Sequence, residues 1–256
     1  MKTFKHSGTF GDIIYGLSLV KQLGGGKLYL QLDNINRITQ HYYGTLPNPF
    51  HRGRMTESDY EFMKEFMLCQ NYIEDFAIWN SVTDKITDDL DLFRPLFVRH
   101  PGNYVDVFAD VWQINDPGAR YTMRNQAWLT VTNPKRIPGK DQIINRTSRW
   151  IQPNLNPIYN DLRDQGAETT ALFVGLESEY EKFKTDTGWN IDYYPTRTML
   201  ELAEIIAGAD QFIGNQSMAL SLAIGLGVPF ACELRRDLPL ERNECYFPEH
   251  PNGEYF

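Results

Sequence analysis

The residues best placed to do chemistry lie late in the chain, where Gly214-Asn215-Gln216-Ser217 separates a short apolar stretch, Gln211 to Ile213, from a small apolar segment, Ala219 to Leu226. A glycine-led turn between a buried strand and a helix leaves the first N–H groups of that helix without partners, and the helix dipole favours negative charge beside them. Amide and hydroxyl side chains on the turn add further donors and acceptors. The chemistry expected there is binding of a phosphate or a nucleotide. The chain opens in the same order: Thr3 to His6 reads as a strand, Ser7-Gly8-Thr9-Phe10-Gly11 as a glycine-containing loop, and Asp12 stands at or near a helix start. Gly8 and Gly11 let another molecule approach the backbone closely, and a carboxylate beside them is either a helix cap or a proton acceptor. A polar loop, Arg146-Thr147-Ser148-Arg149-Trp150, follows the apolar stretch from Gln142 to Asn145, and Glu177 follows Gly175 after another.

These positions make sense only if alternating strands and helices carry them. Leu200, Leu202, Ile205 and Ile206 recur at helical spacing up to Gly208, and Val228-Pro229-Phe230 starts a strand after the apolar helix. Near the N-terminus the helix from Asp12 to Leu23 ends at Gly24-Gly25-Gly26, and Lys27 to Leu32 alternates as a strand, completing a βαβ unit. Asp33 to Thr56 has no period and reads as a long loop. Thr56-Glu57-Ser58-Asp59 starts a helix reaching Leu68, Tyr72 to Trp79 reads as a strand, and a further strand and helix are expected around Leu90 to Phe97 and Tyr104 to Trp112. Between Asn115 and Lys140 proline and glycine clusters flank Ala127 to Val131, and this stretch is taken as a connection between an N-terminal domain, 1–135, and a C-terminal domain, 136–256. After it, Asn156 to Gln165 is expected as a helix and Thr170 to Val174 as a strand. The fold class is α/β in both halves.

With 256 residues, 42% of them hydrophobic and 13% aromatic, the chain can bury substantial cores. It has no apolar run of membrane-spanning length and no signal-peptide pattern, so a soluble, cytoplasmic protein is expected. Three cysteines, Cys69, Cys232 and Cys245, lack the spacing of a zinc site, and the five histidines show no metal-ligand spacing, so no metal is expected. A net charge of −8 argues against nucleic acid as a partner, while a local basic group suffices for a small anion.

Four separated segments together resemble glycosyltransferases of the heptosyltransferase type, glycosyltransferase family 9, which transfer heptose from ADP-heptose to the lipopolysaccharide core. They are Gly11-Asp12-Ile13-Ile14, Asn145 to Trp150, Phe173 to Glu179, and Leu200 to Pro229. The resemblance implies a GT-B architecture of two Rossmann-like domains facing a cleft, and inverting, metal-independent transfer with no cofactor beyond the nucleotide-diphosphate sugar itself. It implies that Asp12 takes the proton from an acceptor hydroxyl. Thr147, Ser148 and Arg149 would hold the donor diphosphate, with Arg146 as an alternative basic group. Glu177 would hold the nucleoside, and Asn215, Gln216 and Ser217 would position the donor sugar. The family pattern has aspartate where this chain has Gln216, and histidine where it has Ser221. Sugar hydroxyls can still be met by an amide, but the donor's identity does not carry over. The expected partners are a nucleotide-sugar donor and a hydroxyl acceptor, such as a glycan. Two alternatives remain open: a binding module that has lost the chemistry, and a nucleotide-sugar epimerase or hydrolase.

Overall fold

The computed structural model describes residues 1–32, 55–97, 102–148, 151, 156–164, 166–235, 239, 243, 245–247 and 250–256. The stretch read as a loop from Asp33 to Thr56 lies outside them except for its last two residues.

Within the described residues the chain forms two wholly parallel sheets. The first contains β1 (Lys2–His6), β2 (Gly26–Leu30), β3 (Ile73–Ile78) and β4 (Asp88–Asp89), in the order β3-β2-β1-β4. The second contains β5 (Gln142–Asn145), β6 (Ala171–Val174), β7 (Asp192–Tyr194), β8 (Gln211–Asn215), β9 (Phe230–Glu233) and β10 (Gly253–Tyr255), in the order β10-β9-β8-β5-β6-β7. Parallel strands need helical crossovers that cover both faces, which is why β6 and β9 are buried along their whole length. In each sheet the chain first builds outward on one side of a founding strand, β1 or β5, and then returns to its other side. The resulting switch points lie between β1 and β4 and between β5 and β8. At the carboxyl ends of such strands the flanking connections diverge and leave room for a ligand. The β5–β8 register sets Asn145 beside Gly214 at the second of them.

The crossovers are α1 (Phe10–Gln22) and α2 (Glu57–Leu68), then a 3-10 turn (Leu90–Phe93) running into α3 (Arg94–Phe97), then α4 (Tyr104–Val111) and α5 (Pro117–Asn125). In the second half they are α6 (Asn156–Asp164), α7 (Ala167–Thr170), α8 (Glu177–Thr187), α9 (Met199–Ala207) and α10 (Met218–Leu226). The expected cap at Thr56 is present: its hydroxyl accepts from the Asp59 N–H at 3.3 Å, while the Asp59 carboxylate accepts from the Thr56 N–H at 2.9 Å. One expectation fails. Leu90 to Phe97 is not a strand, because the Asp89 carboxylate accepts from the Asp91 N–H at 3.1 Å and winds the chain into a helical turn, and Pro95 has no N–H for a sheet. The strand of this unit is only Asp88–Asp89.

The stretch read as a connection is partly a helix. Asp116 caps α5 through the Ala119 N–H at 2.7 Å, with Pro117 at its first position. Trp128 and Leu129 are then buried where α1 packs against α10. Both donate their N–H to Gly225 O, at 2.9 and 2.8 Å, and the Trp128 indole donates to Ile14 O at 3.1 Å. One hydrophobic core consequently runs from Ile14 and Leu17 on α1 to Leu222 and Ala223 on α10. A second, around Tyr159, Phe173, Phe183 and Trp189, covers the other face of the second sheet. The C-terminal tail touches both halves. Phe247 lies 6.0 Å from the Tyr15 ring, and Gly253–Tyr255 completes the second sheet beside β9.

Candidate functional site

At the first switch point, β1 ends in Lys5 and His6 and hands over to Ser7, Gly8 and Thr9. Asp12, in the first turn of α1, is buried, and its Oδ2 accepts from the Thr9 N–H at 3.3 Å, as a capping carboxylate does. The same oxygen faces Arg94 Nη1 at 3.5 Å. Arg94 is braced from behind by Asp91: its Nε donates to Asp91 Oδ1 at 3.2 Å. Asp91 also accepts from the Ser7 N–H at 3.2 Å, the Ser7 hydroxyl at 2.6 Å and Lys5 Nζ at 3.1 Å, and Lys5 further pairs with Asp89 at 3.0 Å. Burial alone would raise the Asp91 carboxyl, but the positive charges and the Ser7 hydrogen bond hold it well below the usual carboxylate range. His6 is fully buried, and burial, helped by Arg94 and Lys5, pushes its imidazole down to about 4 despite Asp91 and Asp12 nearby. It is therefore neutral at pH 7. Its Nδ1 accepts from the Gly8 N–H at 2.8 Å, so its 3.5 Å approach to Asp91 is not an ion pair. Gly8 admits no side chain: a Cβ there would lie 2.5 Å from Arg94 Nη2, 2.5 Å from His6 Cε1 and 2.6 Å from Asp12 Oδ2.

At the second switch point, Asn215 ends β8 and ties down the loop after β5. Its Oδ1 accepts from the Thr147 N–H at 3.0 Å and its Nδ2 donates to Thr147 O at 3.0 Å. Ser217 caps α10, its hydroxyl accepting from the Leu220 N–H at 3.2 Å, so that helix begins at the same corner. Gln216 is buried and donates from Nε2 to Asn243 Oδ1 at 2.6 Å. Ser148 is exposed beside Thr147. Glu177 is exposed at the first position of α8, just beyond β6, the other neighbour of β5. The turn before it needs Gly175, whose φ is 134° and whose Cβ would lie 2.6 Å from Asn145 Nδ2. Among the described residues no group of three or more His, Cys, Asp or Glu is placed to hold a metal ion, and no helix is long and apolar enough to cross a membrane.

No protein-family profile and no curated protein sequence matches the chain. Its shape does have relatives. A glycosyl transferase family 9 crystal structure from Veillonella parvula superposes with a TM-score of 0.61 at 12% identity, covering 99% of this chain and 86% of that one. The chain has the fold of a family 9 glycosyl transferase. The E. coli ADP-heptose lipopolysaccharide heptosyltransferase II (TM-score 0.49, 12% identity, 100% and 90% coverage) also matches. So does an E. coli heptosyltransferase solved with ADP-2-deoxy-2-fluoro heptose (0.45, 11%, 100% and 93%).

On this family 9 fold the residues singled out in the sequence fall into two groups. Asp12 and Gly8 belong to the first switch point, while Thr147, Ser148, Asn215, Gln216 and Ser217 belong to the second, with Glu177 one strand away. Arg149 and Trp150 lie outside the described residues. Gly11 is not in a loop: α1 begins at Phe10, because Thr9 and not a later residue is its N-cap. Arg146 does not reach outward toward phosphate. It is buried, with Nε and Nη2 on the two oxygens of the fully buried Glu233 at 2.7 and 3.0 Å and Nη1 on Asp186 at 2.9 Å. Sequence reasoning missed Lys5, Asp91 and Arg94. The available signal was three aspartates, Asp88, Asp89 and Asp91, crowded before an arginine at what had been read as a strand.

Proposed function

We propose that the chain is a glycosyltransferase that moves a sugar from a nucleotide-diphosphate donor to a hydroxyl acceptor with inversion and without a metal ion. The observation that carries this reading is the buried Asp12 carboxylate at the first switch point, on a fold shared along 99% of the chain with a family 9 glycosyl transferase. The acceptor hydroxyl gives its proton to Asp12 while its oxygen attacks the anomeric carbon. The bond from that carbon to the diphosphate breaks on the opposite face, and the charge collects on the departing diphosphate. Stabilising that charge is the main electrostatic task. The start of α10 and the Thr147 and Ser148 hydroxyls serve it, together with Arg149. Glu177, with two oxygens that only accept, suits the hydroxyls of a ribose. The resemblance of the sequence to enzymes that use ADP-heptose makes an ADP-linked sugar the first donor to try.

A second reading, a binder of nucleotide sugars without transfer, draws on Gln216. Its amide is turned to Asn243 instead of standing as a free carboxylate.

The test starts with thermal stabilisation of the chain by ADP, UDP, GDP and CDP and their sugar conjugates, followed by donor consumption with and without acceptor. Asp12→Asn is expected to bind donor within about twofold of wild type and to lose at least about 100-fold in turnover, the size of a general-base contribution. Turnover unchanged in that variant rejects Asp12 as base. Stabilisation without any transfer favours the silent binder, and consumption without acceptor favours a hydrolase.

A further inference from the structure

We propose that Arg94 is the positioning residue for Asp12: clamped between Asp91 and Asp12, it holds the Asp12 carboxylate in place, while Asp91 keeps the arginine's charge balanced when Asp12 takes up a proton. The inference rests on Asp12 being the base.

A base in a buried site changes charge once per cycle, and a neighbour that depended on it for neutrality would then be left as an uncompensated buried cation. Here the arrangement avoids that. Arg94 Nη1 reaches Asp12 at 3.5 Å, but its Nε is bound to Asp91 at 3.2 Å, and Nη2 lies 3.2 Å from the same Asp91 oxygen. Asp91 is in turn fixed by Ser7 and Lys5, so it stays in place and ionised whatever Asp12 does. Arg94 Nη2 is buried and makes no hydrogen bond beyond its ion pair with Asp91. The arginine's planar fork matters here, since a lysine at this distance could not meet both carboxylates along two edges.

Among the described residues the groups facing Asp12 are few. His6 comes from β1, with Lys5 behind it, Asp91 from the 3-10 turn, and Arg94 from α3. On the other helices against α1, Asp106 pairs with Arg124 and Asp110 with Arg120, Asp59 is turned to Thr56 as Phe62 meets Phe10, and α10 has no titratable side chain. Removing Arg94 therefore takes away the nearest cation among the described residues, and removing the Asp91 charge frees Arg94 to pair fully with Asp12.

The experiment is a carboxyl-carbon NMR titration of Asp12 in the full chain, run beside kcat and KM for the donor found above. Arg94→Gln is expected to raise the Asp12 midpoint by about one pH unit and Asp91→Asn to lower it by about as much, since one nearby opposite charge moves a carboxylate by roughly one to three units. Arg94→Gln should cut kcat at least about tenfold with the donor KM within about threefold, and Arg94→Lys should restore the Asp12 midpoint but not kcat. Midpoints in both charge variants within about 0.3 unit of wild type overturn the proposal, even where Asp12→Asn abolishes transfer and the base assignment stands. Shifted midpoints with kcat unchanged in Arg94→Gln overturn it as well. The titration needs no turnover, so a failure of the transferase reading shows separately, as turnover left unchanged by Asp12→Asn or as no transfer by the wild type.

Discussion

Asp12 serves two ends with one oxygen. Its Oδ2 accepts from the Thr9 N–H, as an ordinary helix-capping carboxylate does, and the same atom faces Arg94. The first contact was legible in the sequence, because a carboxylate three residues into a helix reaches back to its cap. The second was not, since nothing local says that a side chain 82 positions away will arrive there. Gly8 sits between them with no room for a methyl group. The three atoms it would strike belong to the clamped Arg94, the buried His6 ring and the capping Asp12, so Gly8→Ala costs both site geometry and stability. Misplacing a reacting group by about 1 Å can cost on the order of 100-fold. Gly8→Ala should lower the unfolding midpoint in urea and, in the folded fraction, lower kcat at least about tenfold. A large stability loss with kcat retained in the folded fraction would contradict this.

At the scale of elements, the alternation of strands and helices was readable because each pairs a distinct period with a distinct terminator. Thr56 and Ser217 cap the helices they were expected to precede, and Thr198 caps α9. What escaped was the short β4 with its helical turn, where two residues of strand give no period to detect and one aspartate cap decides the path. The inward turn of Arg146 also escaped, because a partner in β9 cannot be inferred from the loop after β5. Ser217 gives the element-level test, since it both caps α10 and borders the expected diphosphate position. Ser217→Ala should cost about 1 kcal/mol of unfolding free energy. Ser217→Asp should keep the cap, because aspartate is as good an N-cap as serine, but its charge should weaken nucleoside-diphosphate binding at least about tenfold by calorimetry. Equal binding by both variants would place the diphosphate elsewhere.

The whole molecule should respond to acid in a particular window. Folding depresses the His6 proton affinity from 6.5 to about 4, so the unfolded chain takes up this proton first as pH falls. The stability contributed by keeping His6 neutral is complete above 6.5 and is lost on the way down to 4, to the extent of roughly 3 kcal/mol. Asp91, also depressed, acts in the same direction but only below its ordinary value of 3.8. Urea unfolding from pH 7 to 4.5 should show stability declining in the wild type and a flatter profile in His6→Asn, whose Oδ1 can still accept from the Gly8 N–H. Parallel profiles would mean that His6 is not the group being charged.

The seam where Trp128 and Leu129 are stitched to Gly225, with the Trp128 indole on Ile14, joins the helices that begin at the two switch points. Helices anchored side by side behave as the fixed arms of a caliper. In the proposed reaction the gap between Asp12 and the departing diphosphate would then be gauged by packing along α1 and α10, substrates would be sorted by whether they span that gauge, and a substitution deep in the seam would recalibrate reach without touching either jaw.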